Sequence, residues 1–238
     1  MALGKDRSSA DRPTAMPMRI IADIVIFAAF VWTFFTLAGR WDWVVGWVYL
    51  GMLFGGVLIN VLLLWKFSPE LLKRRVQFGA GTKSWDFVCL AAFGLTYLLT
   101  VLVGALDAGR NHWSVMPAWL WLVGAVFFVA GHVLINMSML ANPFFEKTAR
   151  IQNDRNHHVI DSGPYRYVRH PGYVGVIAGF ILATPFMLGS WWALIPAILS
   201  VVSIVVRTAL EDYMLRDELD GYEAYASWVR YRLVPYLW

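Results

Sequence analysis

The sequence predicts an all-α, polytopic membrane bundle of about six helices, and three observations carry that prediction. Only 15% of its 238 residues are charged while 59% are hydrophobic, against about 25% charged in an ordinary soluble domain. Residues 43–65 and 87–106 contain no Asp, Glu, Lys or Arg, and about 20 such residues suffice for a helix to cross a ~30 Å hydrocarbon core. The basic residues are also segregated. Eighteen of the 20 Lys and Arg fall in residues 1–19, 66–84, 141–170 and 207–238. The positive-inside rule assigns those segments, and with them both termini, to the cytoplasm.

The elements follow in order. Residues 1–17 are polar, with Lys5, Arg7 and Arg12, and lead into an apolar stretch with no convincing cleavage site, which reads as an uncleaved signal-anchor. Four spans are expected at 18–38, 43–65, 85–106 and 117–140. Trp41, Trp43, Trp85, Trp113 and Trp119 sit at their ends, where interfacial rings belong. Residues 171–206 form an uncharged run of 36, about 54 Å as one straight helix. Pro185 and the Leu188-Gly189-Ser190 break divide it into a tight helical hairpin. Beyond it, Leu215, Leu219, Tyr222, Ala226 and Val229 recur at helical spacing, which predicts an amphipathic tail helix on the cytoplasmic side. Two Gly-x-x-x-Gly pairs, Gly51/Gly55 and Gly175/Gly179, permit close helix approach. The single cysteine, Cys89, excludes internal disulfides and a cysteine metal cluster.

Chemistry is expected where polar residues concentrate beside the membrane. Three of the five histidines (His157, His158, His170), Gln152 and two X-Pro steps lie within residues 150–173. The Gly163-Pro164 and His170-Pro171 steps force extended or turning backbone, which leaves N–H and C=O groups free for a ligand. A metal site is disfavoured, because adjacent histidines rarely converge on one ion and no His-x-x-x-His or Cys pair accompanies them. No nucleophile elbow and no phosphate loop is present.

The stretch Gly-Pro-Tyr-Arg-Tyr-Val-Arg-His-Pro-Gly-Tyr at 163–173 resembles the signature of the isoprenylcysteine carboxyl methyltransferase family, whose superfamily includes phospholipid N-methyltransferases. Asp154-Arg155-Asn156-His157-His158-Val159-Ile160 is similar too. So are Arg207-x-x-x-Glu211, Gly221-Tyr222-x-x-Tyr225 and Arg232-Leu233-x-Pro235. Many bacterial relatives carry Gly where Asn156 stands. The resemblance covers about 142–238. The hydrophobic runs give one membrane domain with four transmembrane helices in 1–141, and the resemblance implies a cofactor-binding part in 142–238.

It further implies an enzyme that uses S-adenosylmethionine to methylate a lipophilic or prenylated acceptor. Gln152, His157, His158, Val159, Ile160, Tyr165, His170, Pro171, Gly172, Tyr173 and Glu211 would surround the cofactor, and Arg207 would face the acceptor. Arg207 and Glu211 are the candidate catalytic pair, although four-residue spacing alone also allows an ordinary surface ion pair. Two other readings stand beside this one: an NADPH-dependent sterol-type membrane reductase, and a non-catalytic membrane scaffold. The expected location is a bacterial inner membrane, or the endoplasmic reticulum of a eukaryote.

Overall fold

A computed structural model describes residues 15–76, 79 and 81–238, with side chains from residue 21 onward. The polar leader and its signal-anchor reading lie largely outside the described residues. Among those described, the structure is helical, and six helices are long and apolar enough to cross a membrane. We number α1 (Ala15–Ala38), α2 (Val44–Phe67), α3 (Pro69–Arg75) and α4 (Ser84–Asn111). They are followed by α5 (Leu120–Ala141), α6 (Pro171–Leu188), α7 (Leu194–Glu218) and α8 (Tyr222–Trp228). All but α3 and α8 are spans. α3 is a short basic helix that hydrophobic periodicity did not reveal.

The outer faces of the spans carry exposed Ile24, Val25, Leu58, Leu122, Val126 and Ile198. Such an apolar surface is stable against lipid and not against water. Inside, Phe34 and Phe35 of α1, Tyr49 and Leu53 of α2, Val101 of α4 and Met187 of α6 form one core.

The predicted hairpin is present, with one difference. Pro185 lies within α6, after a π-helical turn at Ile177–Leu182, and the chain reverses only at Gly189, which takes φ 78°. The hairpin is also fastened from outside. The buried Asp107 carboxylate accepts from Ser190 Oγ (2.6 Å) and from the Ser114 amide (2.8 Å), tying the end of α4 to the α6–α7 turn.

The two Gly-x-x-x-Gly pairs part ways. A Cβ at Gly175 or Gly179 would collide with the backbone of Gly131, so α5 and α6 meet there at backbone distance. Added side chains at Gly51 and Gly55 would meet nothing within 4 Å, so that pair makes no close approach within the chain.

The tail also differs from expectation. Leu219, Tyr222, Tyr225, Ala226 and Val229 do converge on one apolar cluster, but from two helices. α7 continues to Glu218, and Gly221 at φ 80° turns the chain into α8. That left-handed geometry suits glycine, which has no Cβ to clash.

Three of the basic segments meet at one end of the bundle. The Lys83 amide donates to Ala149 O (3.1 Å), Lys83 Nζ pairs with Glu218 (2.7 Å), and Arg75 Nη1 donates to Phe145 O (2.9 Å). The candidate site lies at this end.

Candidate cofactor cleft

Residues 142–170 run from the end of α5 to the start of α6 in turns and short 3-10 segments, and they wall a cleft closed on its other side by α6 and α7. Of the residues the sequence singled out, Gln152, His157 to Ile160, Tyr165, His170, Gly172, Tyr173, Arg207 and Glu211 all line it. Pro171 does not. It occupies the first turn of α6, where its missing N–H costs nothing and its fixed φ starts the helix.

The first wall is built around Phe144. Gln152 is almost wholly buried and donates from Nε2 to Phe144 O (2.7 Å), while its Oε1 accepts from Arg155 (3.0 Å). Arg155 also lies over the Phe144 ring (5.3 Å). Gln152 therefore has its amide committed to the turn that supports the cleft. The rings of His157 (4.5 Å) and His158 (5.0 Å) flank Phe144. Burial, helped by the nearby His158 and Arg150 charges, pushes His157 down to about 4, which keeps its imidazole neutral at pH 7. Asn156 holds φ 51° and ψ 54°. This is the left-handed turn that glycine would give, and Asn tolerates it better than most side chains.

Arg150 closes this wall from behind. Its fork binds Glu146 (2.8 and 3.0 Å) and Asp154 (2.9 Å). The hydrogen bonds to Glu146, with Asp154 adding to them, hold its pKa above the ordinary arginine value.

The second wall comes from α6 and α7. The His170 and Tyr173 rings stack in parallel, with centroids 5.7 Å apart, and the Tyr173 hydroxyl donates to Glu211. Glu211 has no cationic side chain within ion-pair distance among the described residues. The sequence-level alternative of an Arg207–Glu211 pair is thus not what forms. Arg207 turns to Asp86 at the start of α4, with Nε at 2.6 Å and Nη2 at 3.2 Å, and also donates to Lys147 O (3.0 Å). Its guanidinium lies 5.2 Å from the Tyr173 ring centre.

Two acids that sequence reasoning passed over hold the site together. Asp86 is fully buried and also accepts the Ala149 amide (2.8 Å). Asp212, equally buried, accepts from Arg169 (2.7 and 3.0 Å), Arg232 (2.9 Å) and the Tyr222 hydroxyl (3.0 Å), with His170 Nε2 at 3.4 Å. Arg169 in turn donates to Val229 O (2.7 Å) and Arg230 O (2.8 Å), so it is a structural tie rather than a free topological charge. The backbone repeats the link. The Arg169 and His170 amides donate to Tyr231 O (2.9 Å) and Arg232 O (3.0 Å).

Tyr165 completes the floor. Its hydroxyl meets Asn142 (3.3 Å), its carbonyl accepts from Tyr225 (2.7 Å), and burial pushes its phenol pKa up.

The arrangement can hold a small polar molecule between a neutral imidazole wall and an acidic-aromatic wall. The Arg207 charge lies near enough to attract Glu211, but no ion pair closes the carboxylate among the described residues. No curated protein matches the chain. The tail motifs at Gly221–Tyr225 and Arg232–Pro235 fall outside the matched segment, but nearly all of α5, the irregular wall, α6 and nearly all of α7 fall inside it, and residues 122–217 match the isoprenylcysteine carboxyl methyltransferase (ICMT) family.

Proposed function

We propose that this integral membrane protein binds S-adenosylmethionine in the 142–238 cleft and methylates a lipophilic or lipid-linked acceptor, a prenylated carboxylate being the favoured class. The observation that carries this reading is Glu211. It is an acid on the wall of the cleft, held by the Tyr173 hydroxyl and in no ion pair among the described residues. An unpaired carboxylate beside a partly dry cleft is unfavourable on its own and favourable opposite a bound cation. S-adenosylmethionine supplies a methyl group on a positively charged sulfur.

The chain's own residues then bind and orient. Gln152 and Arg155 fix the Phe144 turn, the neutral His157 adds no competing charge, and the stacked His170 holds Tyr173 and through it Glu211. Methyl transfer of this kind is an in-line displacement, so proximity and alignment are the main contribution the protein makes. A carboxylate acceptor is already ionised at pH 7 and needs no base. Its oxygen bonds to the methyl carbon as the carbon–sulfur bond breaks, and that electron pair stays on sulfur. An amine acceptor would first have to lose a proton, which is a task for Glu211.

The proposed orientation puts the cleft and both termini in the cytoplasm, where the cofactor is. It also lets an apolar acceptor arrive sideways from the bilayer. The test is transfer of a radiolabelled methyl group from S-adenosylmethionine into a membrane extract by the purified full chain. A base-labile label in a lipid-linked species is expected. No incorporation into any species would end the reading.

A further inference from the structure

Arg75 ends α3, outside the segment that matches the family, yet it touches the wall of the cleft. Its Nη1 donates to Phe145 O (2.9 Å) and Glu146 O (3.5 Å), and its guanidinium lies 5.5 Å from the Phe145 ring centre. Phe145 and Glu146 both line the cleft. Three other arginines there are matched with acids, Arg150 with Glu146, Arg169 with Asp212 and Arg207 with Asp86, while Arg155 gives its Nη1 to Pro143 O and Gln152 Oε1. Arg75 has no acid within ion-pair distance among the described residues, and its Nε and Nη2 donate to no described group. A guanidinium carries five N–H donors in a planar fork, so most of this one is unspent. The charge is nevertheless half-buried. Burial pushes its pKa down to about 10, with Tyr173 opposing that shift and the Arg207 charge adding to it. A partly desolvated cation with unspent donors is stabilised by an anion.

We propose that Arg75 is the acceptor-selecting cation of this site, its open N–H edge holding an oxygen of an anionic, carboxylate-type acceptor. The inference rests on the methyltransferase reading. Arg207, its fork closed on Asp86, contributes charge but few free donors; Arg75 contributes both. Methylation turns the acid into a neutral ester, so the same residue that favours the substrate ceases to hold the product.

The experiment measures binding of N-acetyl-S-farnesylcysteine and of its carboxamide to the detergent-solubilised full chain, alongside calorimetric affinity for S-adenosylmethionine. The native protein should prefer the acid by about tenfold, the scale of one charge-assisted contact. Arg75→Gln should abolish that preference and leave cofactor affinity unchanged, and Arg75→Lys should retain part of it. Equal or absent binding of acid and amide by the native protein would overturn the proposal. So would a preference that survives in Arg75→Gln, or a parallel fall in cofactor affinity, which would make Arg75 a prop for the Phe145–Glu146 wall. Acid preference that depends on Arg75 without any methyl transfer would sink the enzymatic reading and leave the anion site standing.

Discussion

Asp212→Asn is the substitution whose consequence follows most directly from the geometry. The native carboxylate is fully buried and accepts from Arg169, Arg232 and Tyr222. Asparagine keeps the shape and one acceptor oxygen, but it turns an NH₂ group toward guanidinium donors and leaves Arg169 without a counter-charge. Removing one partner of a buried ion pair costs about 3–5 kcal/mol. For a chain of this length each kcal/mol is worth about 2–4 °C, so the melting temperature should fall by about 10 °C. Arg216→Gln is the control, because Arg216 is partly exposed and sits 3.3 Å from the same carboxylate, where a pair is worth about 0–1 kcal/mol. Both are read by thermal unfolding of the detergent-solubilised protein, with the Arg169→Gln/Asp212→Asn double variant closing the cycle. The double loss should be smaller than the sum of the single losses, since each single change leaves the other charge stranded. A fall below about 2 °C for Asp212→Asn, within the exposed-pair range, would refute the view that Asp212 joins α7, the His170 turn and the tail.

Three further outcomes are expected. His157 has its pKa pushed down to about 4 in the folded chain against about 6.5 unfolded. The unfolded state therefore binds the extra proton first, and stability contributed by the neutral imidazole should drain away as pH falls from about 6.5 to about 4; melting curves of His157→Gln should lack that acid-side loss. Gly131→Ala should destabilise by about 1–3 kcal/mol through overpacking against α6, whereas Gly51→Ala, with nothing within 4 Å of the added methyl, should leave the melting temperature unchanged. In a Cys89→Ala background, cysteines at Asn156 and Asp220 should label from the same face of the membrane and one at Val115 from the opposite face, and labelling of 156 and 220 from opposite faces would break the joint site.

The spans were legible because lipid burial writes itself into composition: a helix facing hydrocarbon cannot carry charges, whatever its partners are. The irregular wall was legible for the opposite reason, as histidines, prolines and polar residues crowded between two apolar runs. What pairs with what was not legible. Arg207 finds Asp86 across 121 residues and Arg169 finds Asp212 across 43, and no local periodicity encodes such distances. A signal existed for Asp86, since an acid at the head of an apolar run is expensive without a cation. Asp212 had only its place beside Glu211. Gly221 interrupted an apolar spacing that continued through it. The pattern of buried side chains was read rightly while the backbone path, which depends on one left-handed residue, was not.

The central claim is that the cleft takes S-adenosylmethionine against Glu211. Isothermal titration of S-adenosylmethionine into the purified full chain, repeated with Glu211→Gln, addresses it without requiring an acceptor. The account predicts saturable one-to-one binding by the native protein and a loss of about tenfold or more in the variant, the scale of a charge-assisted contact, with little change in melting temperature. Absence of binding by a folded native protein, or equal affinity in Glu211→Gln, would contradict it.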